Sequence, residues 1–141
     1  MNPDRMKVRK VAFTNRQAAT LRDYEVRFEK RVNRAPHDFT WGAGNICPVP
    51  GKIVEGALYE VEESGLVTLD KFEGRPVHYD RHIVTVECGG EKVDAVTYIA
   101  QPDHVESGLC PTREYLGHLL AGRDLFSENY FARLAATPTV D

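Results

Sequence analysis

The chain has 141 residues, of which 42% are hydrophobic and 28% are charged, and its formal net charge at neutral pH is −3. These values are typical of a soluble globular protein and predict one domain over residues 1–141. The negative charge argues against nucleic-acid binding, and no apolar stretch approaches the ~20 residues of a membrane helix. The N-terminus has no apolar signal core, so the cytoplasm is the default location.

The three cysteines are isolated from one another and carry no recognisable motif. Their odd number and the lack of a signal peptide argue against a disulfide framework, so Cys47, Cys88 and Cys110 are interpreted as small core residues. No CxxC spacing supports a zinc site, and no GxxxxGK[ST] loop supports phosphate binding. A serine hydrolase is also unsupported, because the GxSxG motif is absent.

The first half of the chain predicts a short helix followed by strands. An Asn-Pro-Asp start favours a helix over residues 2–9, since proline suits the first helical position and aspartate suits the positive helix end. Apolar and polar residues then alternate as they do in half-buried strands, either as separate strands or as bent ones. Pro48 and Pro50 are expected to interrupt the chain before a further strand. The predicted strands cover residues 16–21, 24–32, 41–49 and 52–61.

The central stretch, residues 56–86, predicts a strand, a short helix, a sharp turn and another strand. Ser64 is a candidate cap for one or two helical turns. Gly74 and Pro76 are expected to end that helix, because glycine tolerates left-handed angles and proline cannot continue a helix. The helix residues predicted to face inward are Leu66, Leu69 and Phe72.

The last third predicts a β-hairpin and two helices. Alternating runs over 81–88 and 92–100 flank the glycine pair at 89–90, which is a strong hairpin signal. An amphipathic helix is predicted over 111–123, and Ser127 is a candidate cap for a last helix. About six strands joined by short turns are antiparallel by default and tend to curl. The sequence therefore predicts an α+β fold, a small and mainly antiparallel β-barrel with short flanking helices.

One acidic residue, Glu73, lies where the predicted central helix gives way to its turn. A carboxylate there faces the negative end of the helix dipole, which is unfavourable. A charge placed against such a local rule is a weak sign of function. Position alone still favours a solvent-exposed carboxylate over a catalytic base.

Four segments, taken in order, closely resemble the γ-glutamylcyclotransferase family, which includes the γ-glutamylamine cyclotransferases and the AIG2-like proteins. They are GALYEVEESGLVTLDKFEG, HYDRHIVTV, AVTYIAQP and PTREYLGHLLAG, and an upstream NICPVPG also fits. The resemblance covers nearly the whole chain. It implies a compact mixed β-barrel with flanking helices and a reaction without a cofactor, the release of 5-oxoproline from a γ-glutamyl amine or amino acid.

The same resemblance assigns site residues. The catalytic glutamate of the family lies in its EG turn and matches Glu73, while two pocket tyrosines match Tyr79 and Tyr115 as substrate-binding residues. Arg81 matches a strand arginine that we interpret as structural. No metal ion is implied.

The implied chemistry agrees with these residue types. A γ-glutamyl compound carries its own nucleophile, the α-amine, which closes a five-membered ring on the γ-carbonyl. Because this amine is largely protonated near neutral pH, the enzyme needs a base and then an acid, and one shielded carboxyl can serve as both. The acceptor half of the substrate stays open: a free amino acid, a lysine-type amine and a biosynthetic protecting group are all compatible.

The chain departs from the family pattern at its start. The family begins with an apolar strand ending in a YGSN-type loop that cradles the substrate, whereas residues 1–5 resemble the segment after that loop, with Arg5 matching a helix arginine. We therefore expect a central strand and part of the pocket to be missing. A misassigned start at Met1, a truncated chain and a degenerate family member are the three explanations.

A missing strand would have consequences for partners and for function. An open strand slot exposes unpaired backbone and favours a partner strand or self-association into a homo-oligomer. The alternative function is then a non-catalytic module on the same fold, one that binds a small molecule or another protein. An unrelated fold with incidental similarity is a third hypothesis.

Overall fold

The computed structural model describes residues 2–141, and Met1, on which the question of the true start depends, lies outside them. Four strands are followed along the chain by two helices, with one helix before the first strand and one between the second and third. The strands are β1 (Asn15–Val32), β2 (Trp41–Glu60), β3 (Tyr79–Cys88) and β4 (Glu91–Ala100). The helices are α1 (Pro3–Val8), α2 (Glu63–Glu73), α3 (Arg113–Leu120) and α4 (Glu128–Ala135).

The strands form one antiparallel sheet in the order β2-β1-β3-β4. A long ladder joins β1 to β2, and β3 and β4 form the hairpin predicted around the glycine pair at 89–90. In contrast, β1 meets β3 through a single residue pair, Thr20 with Glu87. The sheet curls enough for its two edge strands, β2 and β4, to contact each other. The predicted α+β class and antiparallel arrangement are confirmed.

The core lies on the inner face of this curled sheet. Its buried residues come from alternate positions of β1 and β3, which is what strand geometry requires of a half-buried sheet. Around them pack partly buried side chains of β1, β2 and β4. The buried cluster consists of Ala19, Leu21, Val84, Val86 and Cys88.

The predicted count of six strands is wrong. The predicted strands 16–21 and 24–32 form the single strand β1, and the predicted strands 41–49 and 52–61 form the single strand β2. In β1, residues 16–32 run through a bulge at Asp23, whose φ of 64° is left-handed. Opposite this bulge, residues 49–52 of β2 pair with no residue of β1. Pro50 therefore loses no ladder hydrogen bond, and an edge strand tolerates Pro48 beside it. The Asp23 side chain closes the bulge by accepting the Gly51 N–H at 2.9 Å.

Helix α2 is longer than predicted, begins at a different cap residue and exposes one side chain that was predicted to face inward. It spans three turns rather than one or two, and Ser64 is not its cap, since Glu62 holds that position without a side-chain hydrogen bond. Phe72, predicted to face inward, is 51% exposed. The predicted end is confirmed: Gly74 adopts a left-handed φ of 65° directly after Glu73.

The predicted cap at the last helix is confirmed, and a second cap was not predicted. Ser127 accepts the Tyr130 N–H at 3.3 Å and begins α4. Thr112 accepts the Tyr115 N–H at 3.1 Å and begins α3, which is shorter than the predicted 111–123 segment. These caps satisfy backbone donors that no residue of the same helix can bond.

An ion pair between Asp70 and Arg81 anchors α2 to the sheet. The Arg81 guanidinium donates to both carboxylate oxygens of Asp70, at 2.9 and 2.6 Å, and the Tyr98 hydroxyl donates to the same carboxylate at 2.6 Å. The Asp70 side chain is 14% exposed. The hydrogen bond from Arg81 lowers the pKa of Asp70 to about 2. The structural role predicted for Arg81 agrees with this arrangement.

We expect Asp70→Asn to lower the free energy of unfolding at pH 7 by about 1–3 kcal/mol, the usual worth of hydrogen bonds to a charged group. Because the folded-state pKa of Asp70 is depressed, its contribution is complete above the ordinary value of 3.8 and disappears as the pH falls toward about 2. Urea unfolding of both proteins from pH 7 to pH 2 measures this convergence.

Glu63→Gln is the matched control, because Glu63 is an exposed partner of the same arginine, at 3.3 Å from Arg81. We expect the free energy of unfolding of this variant to stay within about 0.5 kcal/mol of the unmodified protein. Equal losses in the two variants would show that the buried pair does not anchor the helix.

Candidate active site

A cavity of about 1210 Å³ opens between the curled sheet and helices α1, α2 and α3. Each of the three side chains that the sequence assigned to a site, Glu73, Tyr79 and Tyr115, lines this cavity. They come from three separate elements: the end of α2, the start of β3 and the first turn of α3. The fold therefore brings together residues that lie up to 42 positions apart in the chain.

The Glu73 carboxyl is held in the cavity by the turn that follows it. Gly74 takes a left-handed conformation there, and a Cβ on it would lie 2.7 Å from the His78 ring, so only glycine fits. The Glu73 side chain is 25% exposed. Burial raises its pKa above the ordinary value of 4.5, and the charges of Arg9 and Arg5 oppose that rise. Loss of water thus outweighs the nearby cations.

The cation in closest contact with Glu73 comes from the end of α1. Arg9 Nη1 lies 3.6 Å from Glu73 Oε1, and the Arg9 guanidinium stacks over the Phe72 ring at 4.8 Å. The guanidinium covers one face of the Phe72 ring, which is otherwise half-exposed. Burial lowers the pKa of Arg9, and the Glu73 charge opposes that effect. The pair is partly desolvated on both sides.

Tyr79 and Tyr115 meet at one residue of β2, Gly44. The Tyr79 hydroxyl donates to the Gly44 carbonyl at 2.8 Å, and the Gly44 N–H donates to the Tyr115 hydroxyl oxygen at 2.9 Å. A carbonyl can only accept and an N–H can only donate, so these two bonds fix the direction of both hydroxyls. The Tyr115 proton and a Tyr79 lone pair are left for a ligand.

Both phenols stay protonated. Burial raises the pKa of Tyr79, and the negative charges available to Tyr115 and Glu73 add to the rise. Burial also raises the pKa of Tyr115, against the hydrogen bond from Gly44. The site therefore presents one titrating carboxyl beside two neutral hydroxyls, a donor and an acceptor.

Sequence reasoning missed three residues of this site: Gly44, Arg9 and Lys30. Gly44 belongs to no motif of the sequence, and Arg9 marked only the end of a predicted helix. Lys30 is 5% exposed and lines the cavity. Its signal was available, since it continues the apolar alternation of Tyr24 and the residues that follow on β1.

The described residues give no support for a cysteine nucleophile, a metal site or a membrane helix. Cys47 donates to Glu29 at 2.6 Å, and burial raises the pKa of its thiol to about 11, which suits a packed residue and not a nucleophile. Across residues 2–141, no three His, Cys, Asp or Glu side chains converge as metal ligands would. In the same span, every helix is too short or too polar to cross a bilayer.

A family profile described as "Gamma-glutamyl cyclotransferase, AIG2-like" matches residues 1–116. The chain belongs to this family. No match was found among curated proteins. The expected family membership is confirmed.

Solved structures show the same fold. A structure titled "Gamma-glutamyl cyclotransferase" superposes with a TM-score of 0.82 at 22% identity, covering 98% of this chain and 82% of that one. An uncharacterised protein from Homo sapiens superposes with a TM-score of 0.84 at 23% identity, covering 99% and 83%. YkqA from Bacillus subtilis gives 0.78 at 22% identity, and the match spans 96% of this chain but half of YkqA. At these identities the likeness establishes the fold alone.

We expect Gly44→Ala to destabilise the protein by about 1–3 kcal/mol, the usual effect of overpacking a filled site. The new methyl group would lie 3.1 Å from the Tyr115 hydroxyl oxygen, which is itself fixed by the backbone of the same residue. Thermal and urea unfolding measure the loss.

Gly56→Ala is the control, because a Cβ at this position of the same strand meets nothing within 4 Å. Its stability should stay within about 0.5 kcal/mol of the unmodified protein. If both variants behave alike, Tyr115 is not tightly held against Gly44.

Proposed function

We propose that this protein is a cyclotransferase that releases 5-oxoproline from a γ-glutamyl amine or amino acid, with Glu73 as the general acid and base. The observation that carries the proposal is the desolvated Glu73 carboxyl with a raised pKa, lining one cavity with two oriented phenols. Family membership supports the reaction class.

In the first step, the Glu73 carboxylate removes a proton from the substrate α-ammonium. The freed amine nitrogen attacks the γ-carbonyl carbon, and a carbon–nitrogen bond closes the five-membered ring. The ring atoms are already joined in one molecule, so the enzyme mainly has to hold the chain in its folded conformation. A base with a raised pKa is suited to this transfer, because it accepts the proton more readily than an exposed carboxylate.

In the second step, the protonated Glu73 carboxyl returns the proton to the leaving nitrogen. The original amide bond breaks, the regenerated carboxylate carries the second proton of the ring nitrogen to the departing amine, and 5-oxoproline and the acceptor ammonium are released with no net change in protons. Tyr115 is the hydroxyl with a free proton, so it is suited to donate to the developing oxyanion or to a substrate carboxylate. Tyr79 is suited to accept from the substrate N–H.

We expect Glu73→Gln to reduce kcat/KM for 5-oxoproline release by about 10²–10⁴-fold, the usual contribution of one general base. Glutamine keeps the shape of the side chain and removes its basicity. The rate is measured by chromatography of 5-oxoproline with γ-glutamyl-alanine as substrate. Glu63→Gln, the same change at the other end of α2, should leave the rate unaltered.

Two results would contradict the assignment. Unchanged turnover in Glu73→Gln would remove Glu73 from the chemistry. If the unmodified protein binds γ-glutamyl compounds but releases no 5-oxoproline from any of them, the non-catalytic binding module is the correct function.

We expect Arg9→Gln to move the acid limb of the kcat/KM profile to higher pH. The Arg9 charge lowers the pKa of Glu73, so removing it raises that pKa further, and more hydroxide is needed to form the active carboxylate. Arg9→Lys keeps the charge and should keep the limb close to its original position. A limb that stays in place or moves to lower pH in Arg9→Gln would show that the limb does not report Glu73.

A further inference from the structure

Lys30 is a buried cation that the proposed reaction does not use. Its side chain lines the cavity, and the residue is 5% exposed. Its Nζ lies 3.0 Å from His78 Nδ1 and 5.8 Å from the centre of the Tyr79 ring. Within residues 2–141, no carboxylate forms an ion pair with it. An ammonium in such a place is expensive to desolvate unless an anion accompanies it.

His78 positions this ammonium but does not neutralise it. An ammonium has only donors, so the Nδ1 atom at 3.0 Å accepts, and the His78 ring is uncharged. Burial and the Lys30 charge both lower the pKa of His78, which agrees with that assignment. Burial, followed by the charges of Arg34 and Arg31, lowers the pKa of Lys30, and the single opposing charge of Glu73 does not cancel that effect. Positive charge is therefore in excess around this part of the cavity.

A buried donor without an acceptor lies on the same wall. The indole Nε1 of Trp41 is buried and has no hydrogen-bond partner among the described residues. In the β1–β2 ladder Lys30 lies opposite Ala43 and Val32 lies opposite Trp41, so Lys30 and Trp41 are diagonal neighbours on one face. Diagonal neighbours are about 7–8 Å apart, within reach of long side chains.

We propose that the Lys30 ammonium and the Trp41 indole N–H form a subsite for the carboxylate of the acceptor amino acid. The substrates are then γ-glutamyl-α-amino acids and not simple γ-glutamyl amines. This inference rests on the proposed function and narrows its substrate class.

The position of Lys30 favours the acceptor carboxylate over the carboxylate of the glutamyl half. The glutamyl carboxylate is attached to the same carbon as the attacking amine, so it lies close to Glu73, where Arg9 is already in contact at 3.6 Å. The acceptor carboxylate lies beyond the scissile nitrogen, farther from the amine. Lys30 forms no direct ion pair with Glu73, although its charge lowers the pKa of that carboxyl, and its Nζ lies 5.8 Å from the centre of the Tyr79 ring, so it is the cation available to this second carboxylate.

The test measures binding in the Glu73→Gln background, where turnover is blocked and Lys30 cannot act through the Glu73 charge. The two ligands are γ-glutamyl-alanine and γ-glutamyl-ethylamide, which differ only in the acceptor carboxylate. We expect calorimetry to give about 10- to 100-fold tighter binding of γ-glutamyl-alanine, as for a hydrogen bond to a charged group. Adding Lys30→Met should abolish this preference, and adding Lys30→Arg should retain it.

Two further measurements separate the contribution of Trp41 to binding from any effect of Lys30 on stability. Trp41→Phe keeps the ring against Tyr115, 5.2 Å between centres, and should lose part of the preference. Lys30→Met removes a buried charge and keeps the side-chain length, so thermal unfolding should show no loss of stability.

Three results would overturn the proposal: no preference between the ligands, a preference that survives Lys30→Met, or equal weakening of both ligands by that change. The last would assign Lys30 to the glutamyl carboxylate. Absence of 5-oxoproline release by the unmodified protein would instead contradict the proposed function. Because the preference is measured without turnover, the two failures are distinguishable.

Discussion

The partial desolvation of one carboxyl, Glu73, is the constraint on which the rest of the site depends. The end of a helix is a poor place for a negative charge, and removal of water makes it poorer. The fold keeps it there by three means: Gly74 fixes the turn, the Asp70–Arg81 pair anchors the helix to the sheet, and Arg9 supplies a nearby positive charge. The carboxyl stays in the cavity with a raised pKa, which is the state a proton shuttle requires.

On the other side of the cavity, the backbone of Gly44 holds two tyrosine hydroxyls in place. One peptide group of β2 accepts from Tyr79 and donates to Tyr115, so neither hydroxyl can rotate freely without losing a bond. Preorganised polar groups of this kind need no rearrangement when charge develops in a reaction. The cost of such an arrangement is sensitivity to small changes, since a single methyl group at Gly44 would press on the Tyr115 oxygen.

Turns and helix ends that local residues determine were predictable from the sequence, whereas features that depend on the packing of distant elements were not. The hairpin at 89–90 and the helix end at Gly74 follow from backbone angles that glycine allows, and both were predicted. Helix α2 was predicted too short because its first turn has no side-chain cap to mark it. Pro50 was taken as a break, although it lies where β1 and β2 do not pair. The chain belongs to the family that its motifs indicated, and they pointed to three residues that line one cavity. Arg9 was missed because its placement depends on how α1 meets the end of α2, whereas Lys30 was missed although it occupies an apolar position in the alternation of β1.

A direct titration of Glu73 tests whether this carboxyl is desolvated in the folded protein. The protein is labelled with ¹³C at the glutamate side-chain carboxyl, and its resonances are followed by NMR as a function of pH. The resonance absent from Glu73→Gln identifies the residue. If burial raises the pKa of Glu73, this resonance has a midpoint above the ordinary value of 4.5. A midpoint at or below that value would contradict this desolvation.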